Sequence, residues 1–348
     1  MEKTPSSLGF YMPAEWELHE ATWISWPKNP ETYPPSMIGK VEESYCKMVA
    51  ALSQGEKVKI LVDSDAEEGR VEKKLLSSGV SPNNIIFLRI PSSDVWMRDY
   101  GPTFLLNHKS GKKAAVRWVF NAWGEKYDDL MLDNGTGDEI AKGLEENGTP
   151  IFRPGIVMEG GSIDSNGKGM LLTTEQCLLN RNRNPNLSKQ ELGQYLMDYL
   201  GVSTVIWLKN GIDGDDTDGH VDDFARFVGE RKVICSREKN KEDSNSAALE
   251  KAFEILAASG LETVELPMPK PIIDSEENRR LPASYANFYI GNKCVLMPIF
   301  NDKSDSAATE ILQECFPKRE IIPIEARELV YGYGGIHCVT QQEPKAKD

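Results

Sequence analysis

Four short segments gather the residue types that do chemistry: DVWMRDYGPTF (94–104), MEGGSID (158–164), GDDTDGHVDDFARF (214–227) and GYGGIHCVTQQEP (332–344). Each sets carboxylates, a His or a Cys beside glycines, which let backbone come close to a ligand. In the last, Cys338 follows Gly332, Gly334 and Gly335 and precedes Val339-Thr340. A cysteine is usually a small buried hydrophobe, and Cys46, Cys177, Cys235, Cys294 and Cys315 are read that way. For Cys338 the glycine-rich approach and polar neighbours leave two readings open, a nucleophile or one more core thiol. His337 is a poor partner base, because neighbours in an extended segment point to opposite faces. Of the four histidines, His19 and His108 are expected in a solvated turn and loop, so if the site uses a base, His220 is the candidate by elimination.

In GHVDDF a strand would put His220 and Asp222 on one face and Asp223 on the other. The acidic run Asp213, Asp215, Asp216, Asp218, Asp222 and Asp223 has three readings. It could be a loop for a hard cation, although the EF-hand pattern with its central Gly and terminal Glu is absent. It could hold a cationic organic substrate, since carboxylates match guanidinium N–H geometry two bonds at a time. It could also be a solvated acidic loop. Asp99 and Glu159 add carboxylates from the first two segments. Trp96, and Trp123 in FNAWGEKY, are core residues or flat walls on which a guanidinium stacks. Arg98 and Arg226, on strands, would face away from Asp99's pocket or lie about 13 Å beyond Asp222. Neither would read a carboxylate beside a guanidinium grip. No GxxxxGK[ST] loop is present and no GxGxxG opens a helix, so nucleotide cofactors are unsupported.

The elements that must position these segments alternate. Strands are expected at KVKILV (57–62), NIIFLRI (84–90), AAVRWVF (114–120), GMLLTT (169–174), STVIWL (203–208), DFARFVG (223–229) and TVELPM (263–268). A further pair, YANFYI/KCVLMPIF (285–300), is split by Gly291-Asn292, a two-residue hairpin signal. Helical patterns start near residues 66, 136, 188, 246 and 304, with an additional amphipathic stretch at 37–55 before them. Ser188 and Glu191 form a capping box, and Gly260 stops the helix that starts near 246. The five starts recur about every 50 to 70 residues, a period that fits a repeated β/α module stacked about an axis. A plain α/β domain would show the same alternation. No Pro/Ser/Gly-rich linker divides the chain, REKNKEDSNS (237–246) being a surface loop, so one domain over 1–348 is expected.

Composition narrows the partners. With Lys+Arg 40 against Asp+Glu 54, the net charge over 348 residues is −14. That argues against nucleic acid, whose binding runs on Lys/Arg contacts to phosphate, and suits a small cation drawn in by the protein's field. No apolar run reaches the roughly 18 residues of a membrane helix, and no signal-peptide pattern opens the sequence. Six cysteines without a CxxC pair or zinc spacing fit a reduced, cytoplasmic protein.

Taken together, WMRDYGP, FNAWG, MEGGSID, DTDGHVDDFARF and GGIHCVTQQEP resemble the motif set of the agmatine deiminases, in the guanidine-modifying pentein superfamily. The likeness runs from about Leu8 to Pro344, with five separated segments in the same order. It implies a five-bladed α/β propeller of ββαβ modules with pseudo-fivefold symmetry. It implies Cys338 as the nucleophile that forms an amidino-thioether, His220 as general acid/base and Glu159 as its paired carboxylate. Asp99 and Asp222 become the acids that grip the guanidinium, and Trp96 and Trp123 line the pocket. The implied reaction converts agmatine to N-carbamoylputrescine and ammonia, toward putrescine, without metal or organic cofactor. A relative with the same chemistry, peptidyl-arginine deiminase, is the alternative, and a homo-oligomer is compatible with the sequence. Tyr333 and Gly335 stand where such relatives often read Gly and Asn, and Glu125 where they have a second Gly. These departures bear on substrate preference more than on reaction type.

Overall fold

The structure is a computed structural model that describes residues 3–346. Five of its sheets are built in one order: an antiparallel strand pair, a crossover helix, then a strand parallel to the second of the pair. In the sheet of Thr103–Asn107 and Lys113–Val116 the helix Asp133–Glu146 leads to Ile151–Phe152. Asp164–Ser165 and Met170–Thr174 are followed by Lys189–Leu200 and Thr204–Leu208. Ala225–Gly229 and Lys232–Arg237 are followed by Asn245–Ala258 and Glu262–Pro267. Tyr289–Ile290 and Cys294–Ile299 are followed by Asp305–Cys315 and Glu320–Glu325.

The fifth sheet takes its first strand from the far end of the described chain. Gln341–Pro344 pairs antiparallel with His19–Ser25, whose crossover helix Ile38–Leu52 leads to the parallel strand Lys57–Val62. A second crossover, Asp65–Ser77, adds Ile85–Arg89 outside it. This corrects the count of helix starts. The repeating helix of this sheet is the amphipathic stretch expected at 37–55, and the helix near 66 is the extra one.

Local chemistry explains the element ends. Ser188 Oγ accepts from Glu191 N at 3.3 Å while Glu191 Oε2 accepts from Ser188 N at 2.8 Å, the expected capping box. The helix Asn245–Ala258 buries Leu249, Ala252 and Leu256 and is followed by Gly260 at φ +76. That left-handed conformation is strained for an L residue with a side chain. The hairpin of 285–300 turns around 291–293, with Gly291 N donating to Cys294 O at 2.9 Å. The turn thus lies one residue later than Gly291-Asn292 suggested. Apolar faces of helices and sheets meet in one large buried cluster and two smaller ones. Among the described residues no helix is long and apolar enough to cross a membrane.

Glu343 ties two sheets together. On the strand Gln341–Pro344, its Oε2 accepts from Trp23 Nε1 at 2.7 Å and from Lys59 Nζ at 2.6 Å. Its Oε1 pairs with Lys113 of the neighbouring sheet. Burial alone would raise the Glu343 carboxyl, but Lys59 and Lys113 outweigh it and hold the group below its usual value. A carboxylate whose folded pKa is depressed stabilises fully above its unfolded pKa and loses that contribution as pH falls through the folded one. Glu343→Gln should therefore lower the unfolding free energy by on the order of 3 kcal/mol at pH 7. The deficit, read from urea denaturation at a series of pH values, should shrink below about pH 4.

Candidate active site

The segment that runs into the first strand of each repeating sheet carries a polar residue, and these residues meet. The helical turn Met97–Tyr100 brings Asp99 ahead of Thr103–Asn107. Glu159 and the 3-10 turn Gly160–Ser162 precede Asp164–Ser165. His220 and the 3-10 turn Val221–Asp223 precede Ala225–Gly229. Asn287 precedes Tyr289–Ile290, and a turn through His337 and Cys338 precedes Gln341–Pro344. None of Asp99, Glu159, His220, Asp222, Asn287 and Cys338 is more than 5% exposed, so they interact out of bulk water.

Three of them converge at Gly161. A Cβ at that position would stand 2.5 Å from His220 Nδ1, 3.0 Å from Asp99 Oδ1 and 3.1 Å from Asp222 Oδ2, so only glycine leaves the three groups their places. Gly161 N donates to Asp99 Oδ1 at 2.9 Å, and Trp123 Nε1 donates to Asp99 Oδ2 at 2.9 Å. His220 Nδ1 lies 3.8 Å from Asp99 Oδ1, and its Nε2 lies 4.0 Å from Glu159 Oε2. Cys338 Sγ accepts from Asn287 Nδ2 at 3.3 Å. It also shares a space less than 4.8 Å across with carboxylate oxygens of Asp222 and Asp223. Trp96 and Trp123 meet edge to face at 6.3 Å, and Gly334 packs so closely on Trp96 that a Cβ there would lie 2.3 Å from the ring.

Burial and like charge set the protonation of the site. Burial, then the Asp222, Asp223 and Asp99 charges, push the Cys338 thiol well above its usual value. Asp99 is pushed up to about 6, by burial first and by the Asp222 and Glu159 charges, against the pull of His220. Asp223 is driven well up by burial and by Asp215 and Asp222. Burial alone would lower His220, yet Asp99, with Cys177 and Glu159 nearby, raises it well above the usual imidazole range. Burial would raise Glu159 and Asp222 as well, but Arg183 chiefly lowers the first and His337 the second. Three buried atoms, Glu159 Oε2, His220 Nε2 and Asp222 Oδ1, have no hydrogen-bond partner within the described protein.

Among the described residues, two sets of donors lie close enough to share a metal ion, Glu159/Cys177/His220 and Asp222/Asp223/Cys338. Both overlap the groups just described. The rest of the acidic run faces separate partners. Asp213 accepts from Ser244 Oγ, and Asp215 accepts the backbone N–H of Thr217, Gly219 and His220. Asp216 pairs with Arg279 and Tyr127, and Asp218 with Arg183 and Lys126. Asp215 thereby folds residues 215–220 into a tight loop.

Several local expectations change. His220 and Asp222 come from a 3-10 turn and its cap, not a strand, because Asp215 curls the preceding loop. Arg98 sits on a helical turn and is buried, donating from Nη1 to Gln342 Oε1 at 2.7 Å and from Nε to His337 O at 3.3 Å. Residues 336–339 form a turn instead of an extended run, with Thr340 N bonded to His337 O at 3.1 Å. His337 is far from idle, since Asp222 Oδ2 lies 2.6 Å from its Nδ1. His19, expected in solvent, is buried against Glu15 O at 2.7 Å and Glu56 Oε1 at 3.1 Å. His108 is exposed and stacks on Tyr11 at 3.8 Å. The departures sit at backbone extremes or contacts: Glu125 has φ 61 and Tyr333 φ 67. A Cβ on Gly335 would lie 2.4 Å from Asn287 Oδ1. Glu15, Arg183 and Asn287 were missed, and no motif marks them. For Asn287 the usable signal was positional, the place before the first strand of a repeat.

The family model described as Porphyromonas-type peptidyl-arginine deiminase matches residues 11–344. The chain is 37% identical to an agmatine deiminase of Ectopseudomonas mendocina, over 98% of this chain and 97% of that one. It is similar in structure to an Enterococcus faecalis agmatine deiminase described as catalyzing its reaction, at TM-score 0.88 and 34% identity, covering 100% and 99% of the two chains. It is also similar to a C. jejuni agmatine deiminase with a cysteine replaced by serine and substrate bound, at TM-score 0.86 and 31% identity, covering 97% of each.

Arg183 anchors the Glu159 side of the site. Its Nε donates to Glu159 Oε1 at 2.6 Å, its Nη1 to Asp218 Oδ2 at 2.8 Å and its Nη2 to Thr217 O at 2.9 Å. Both side chains of the Arg183–Glu159 pair are fully buried, and breaking such a pair from one side strands a charge. Arg183→Met should cost about 3–5 kcal/mol of stability. Adding Glu159→Gln should recover part of that loss, measured by a double-mutant cycle in chemical denaturation.

Proposed function

The chain belongs to the Porphyromonas-type peptidyl-arginine deiminase family, and from that premise we propose that it is an agmatine deiminase, hydrolysing agmatine to N-carbamoylputrescine and ammonia. The observation that carries the reading is the convergence of Asp99, Asp222 and His220 at Gly161 beside a thiol that shares its space with carboxylates. A guanidinium is planar and cationic, and its carbon is a poor electrophile. It needs carboxylates to hold it and a strong nucleophile to attack it.

Cys338 is the nucleophile in this reading. The carboxylates that hold its thiol up would be neutralised by the incoming cation, so substrate itself favours the thiolate. Thiolate attack makes the C–S bond, and protonated His220 gives its proton to the departing amino group, which leaves as ammonia. Neutral His220, facing Glu159, then takes a proton from water. The resulting hydroxide adds to the amidino-thioether carbon, the C–S bond breaks, and the ureido product leaves the thiolate restored. Asp99 and Asp222 orient the guanidinium throughout, and Trp96 and Trp123 line its pocket. No metal or organic cofactor is invoked.

Preference for agmatine follows from charge. Arg183 is tied to Glu159 and Asp218, Arg226 to Glu15 and Asp164, and Arg98 to Gln342 and Glu15. None of the three is free to receive the α-carboxylate of arginine. The second reading, deimination of arginine residues in peptides, is the one the family description favours. We further infer one catalytic domain, a five-bladed propeller of ββαβ modules about a pseudo-fivefold axis. The five sheets of one strand order, and the meeting of the segments ahead of them, support it. A cytoplasmic location without membrane or nucleic-acid partners suits the acidic charge and the cysteine pattern.

Ammonia release should be at least about a hundredfold faster, in kcat/KM, with agmatine than with free arginine, or roughly 2.7 kcal/mol. Cys338→Ser should lose roughly a thousandfold on agmatine. A better rate on a blocked arginyl peptide would move the assignment to the second reading. In the free enzyme Asp99 is charged above about pH 6 and neutral below it. The kcat/KM for agmatine should therefore fall on the acid side of that value, and Asp99→Asn should lower the plateau and flatten that limb.

A further inference from the structure

Two buried chains of the same four residue types flank Cys338. In one, Arg183 Nε donates to Glu159 Oε1 at 2.6 Å, Glu159 Oε2 faces His220 Nε2 at 4.0 Å, and His220 Nδ1 faces Asp99 Oδ1 at 3.8 Å. In the other, Arg226 Nη2 meets Glu15 Oε2 at 2.9 Å, and the same oxygen lies 2.7 Å from His337 Nε2. His337 Nδ1 then lies 2.6 Å from Asp222 Oδ2. Each histidine turns Nε2 to a glutamate and Nδ1 to an aspartate. They differ in tightness. Both gaps around His220 exceed hydrogen-bond reach, and both around His337 are short.

Tightness separates two jobs. A loosely held imidazole can pass a proton to a reacting group, which is the role given above to His220. His337 has a carboxylate oxygen within hydrogen-bond reach of each ring nitrogen, so its ring is held from both sides. Against the cost of burial, Arg226, His337 and Arg98 hold Glu15 well below the usual carboxylate range. Asp222 is likewise held down by His337 against burial. With Oδ2 occupied by His337, Asp222 Oδ1 is the oxygen left without a partner.

We infer that Glu15 and His337 are positioning residues for the guanidinium grip: together they fix Asp222 as an oriented carboxylate with Oδ1 presented to the substrate cation. The inference rests on the guanidine-deiminase reading. Neither residue exchanges a proton with substrate or touches it. Glu15 Oε1 also accepts from Ile290 N at 2.8 Å, so a purely structural role for Glu15 is the alternative the test must separate.

Two small electrophiles separate grip from thiol reactivity. In each, the Cys338 thiolate displaces chloride. 2-Chloroacetamidine presents a planar cation with guanidinium-like N–H edges, and 2-chloroacetamide is its neutral near-isostere. The ratio of their inactivation rates reads the carboxylate grip on a cation, while the amide rate alone reads the thiol. Wild-type protein with no preference for the amidine would remove the guanidine reading itself. Given that preference, Glu15→Gln and His337→Asn should each lower the ratio by about tenfold or more, with KM for agmatine raised and kcat lowered. His337→Asn leaves the ion pairs of Glu15 with Arg98 and Arg226 in place, so it carries the test where Glu15→Gln does not accumulate as folded protein. A folded variant whose ratio falls by less than about tenfold overturns the positioning role.

Discussion

Asp99, Glu159, Asp222 and Asp223 are buried close together beside His220 and Cys338, none of them more than 4% exposed. Like charges out of water repel strongly and lose their hydration, so such a cluster exists only where the fold supplies opposing charge or keeps some members neutral. Both devices are present. Asp99 and Asp223 are pushed toward their neutral forms, while Glu159 and Asp222 stay ionised through Arg183 and His337. The buried arginines are therefore structural necessities of the site. Each is placed one layer behind the carboxylate it serves, and its charge supports the site without filling it.

A buried cluster left short of positive charge favours a cation over a neutral molecule. Asp99 raised to about 6 and Cys338 held well above its usual value are the signs of a site missing one cation. A planar cation bound there would draw Asp99 toward its charged form and the thiol toward thiolate together, so recognition and activation become one electrostatic event. A neutral molecule of the same shape would bind without that gain. The unpartnered Asp222 Oδ1, Glu159 Oε2 and His220 Nε2 are costly to the folded state, and a guanidinium with its attacking water would satisfy them in turn.

The sequence made part of this legible for a physical reason. Cys338, His220, Glu159, Asp99 and Asp222 sit among glycines and aromatic residues in short polar segments, where packing alone would not place them. Glu15, Arg183 and Asn287 carry no such local signature. Arg183 lies in the loop 180–184, ordinary surface chemistry by composition, and its burial comes from contact with Asp218 and Glu159 far away in the chain. Asn287 is hidden in a run whose apolar character announces a strand, yet it sits ahead of that strand and reaches Cys338 Sγ and Asp223 Oδ1. Strands such as Lys57–Val62, Met170–Thr174 and Glu262–Pro267 were readable because alternation and β-branched residues report burial directly, whereas His19–Ser25, Lys232–Arg237 and Glu320–Glu325 were not marked. Choosing the repeating helix near residue 38 over the extra one near 66 required the pairing of strands, which periodicity does not encode.

Secondary structure at the motifs decides which neighbours can coexist. Arg98 and Asp99 are adjacent, as are His337 and Cys338, and either pair could quench itself if both side chains entered one space. A helical turn rotates consecutive side chains by about 100°. Asp99 thus reaches Gly161 and Trp123 while Arg98 reaches Gln342 and Glu15. The turn at residues 336–339 does the same for the second pair, sending His337 to Asp222 and Glu15 and Cys338 to Asn287. The two segments are then locked together, since Arg98 N donates to Cys338 O at 3.1 Å and Arg98 Nε to His337 O at 3.3 Å. In an extended strand each pair would also have split across two faces, but those faces lie on opposite sides of a sheet. A turn instead lets both members of each pair join one cluster of buried polar groups through different partners.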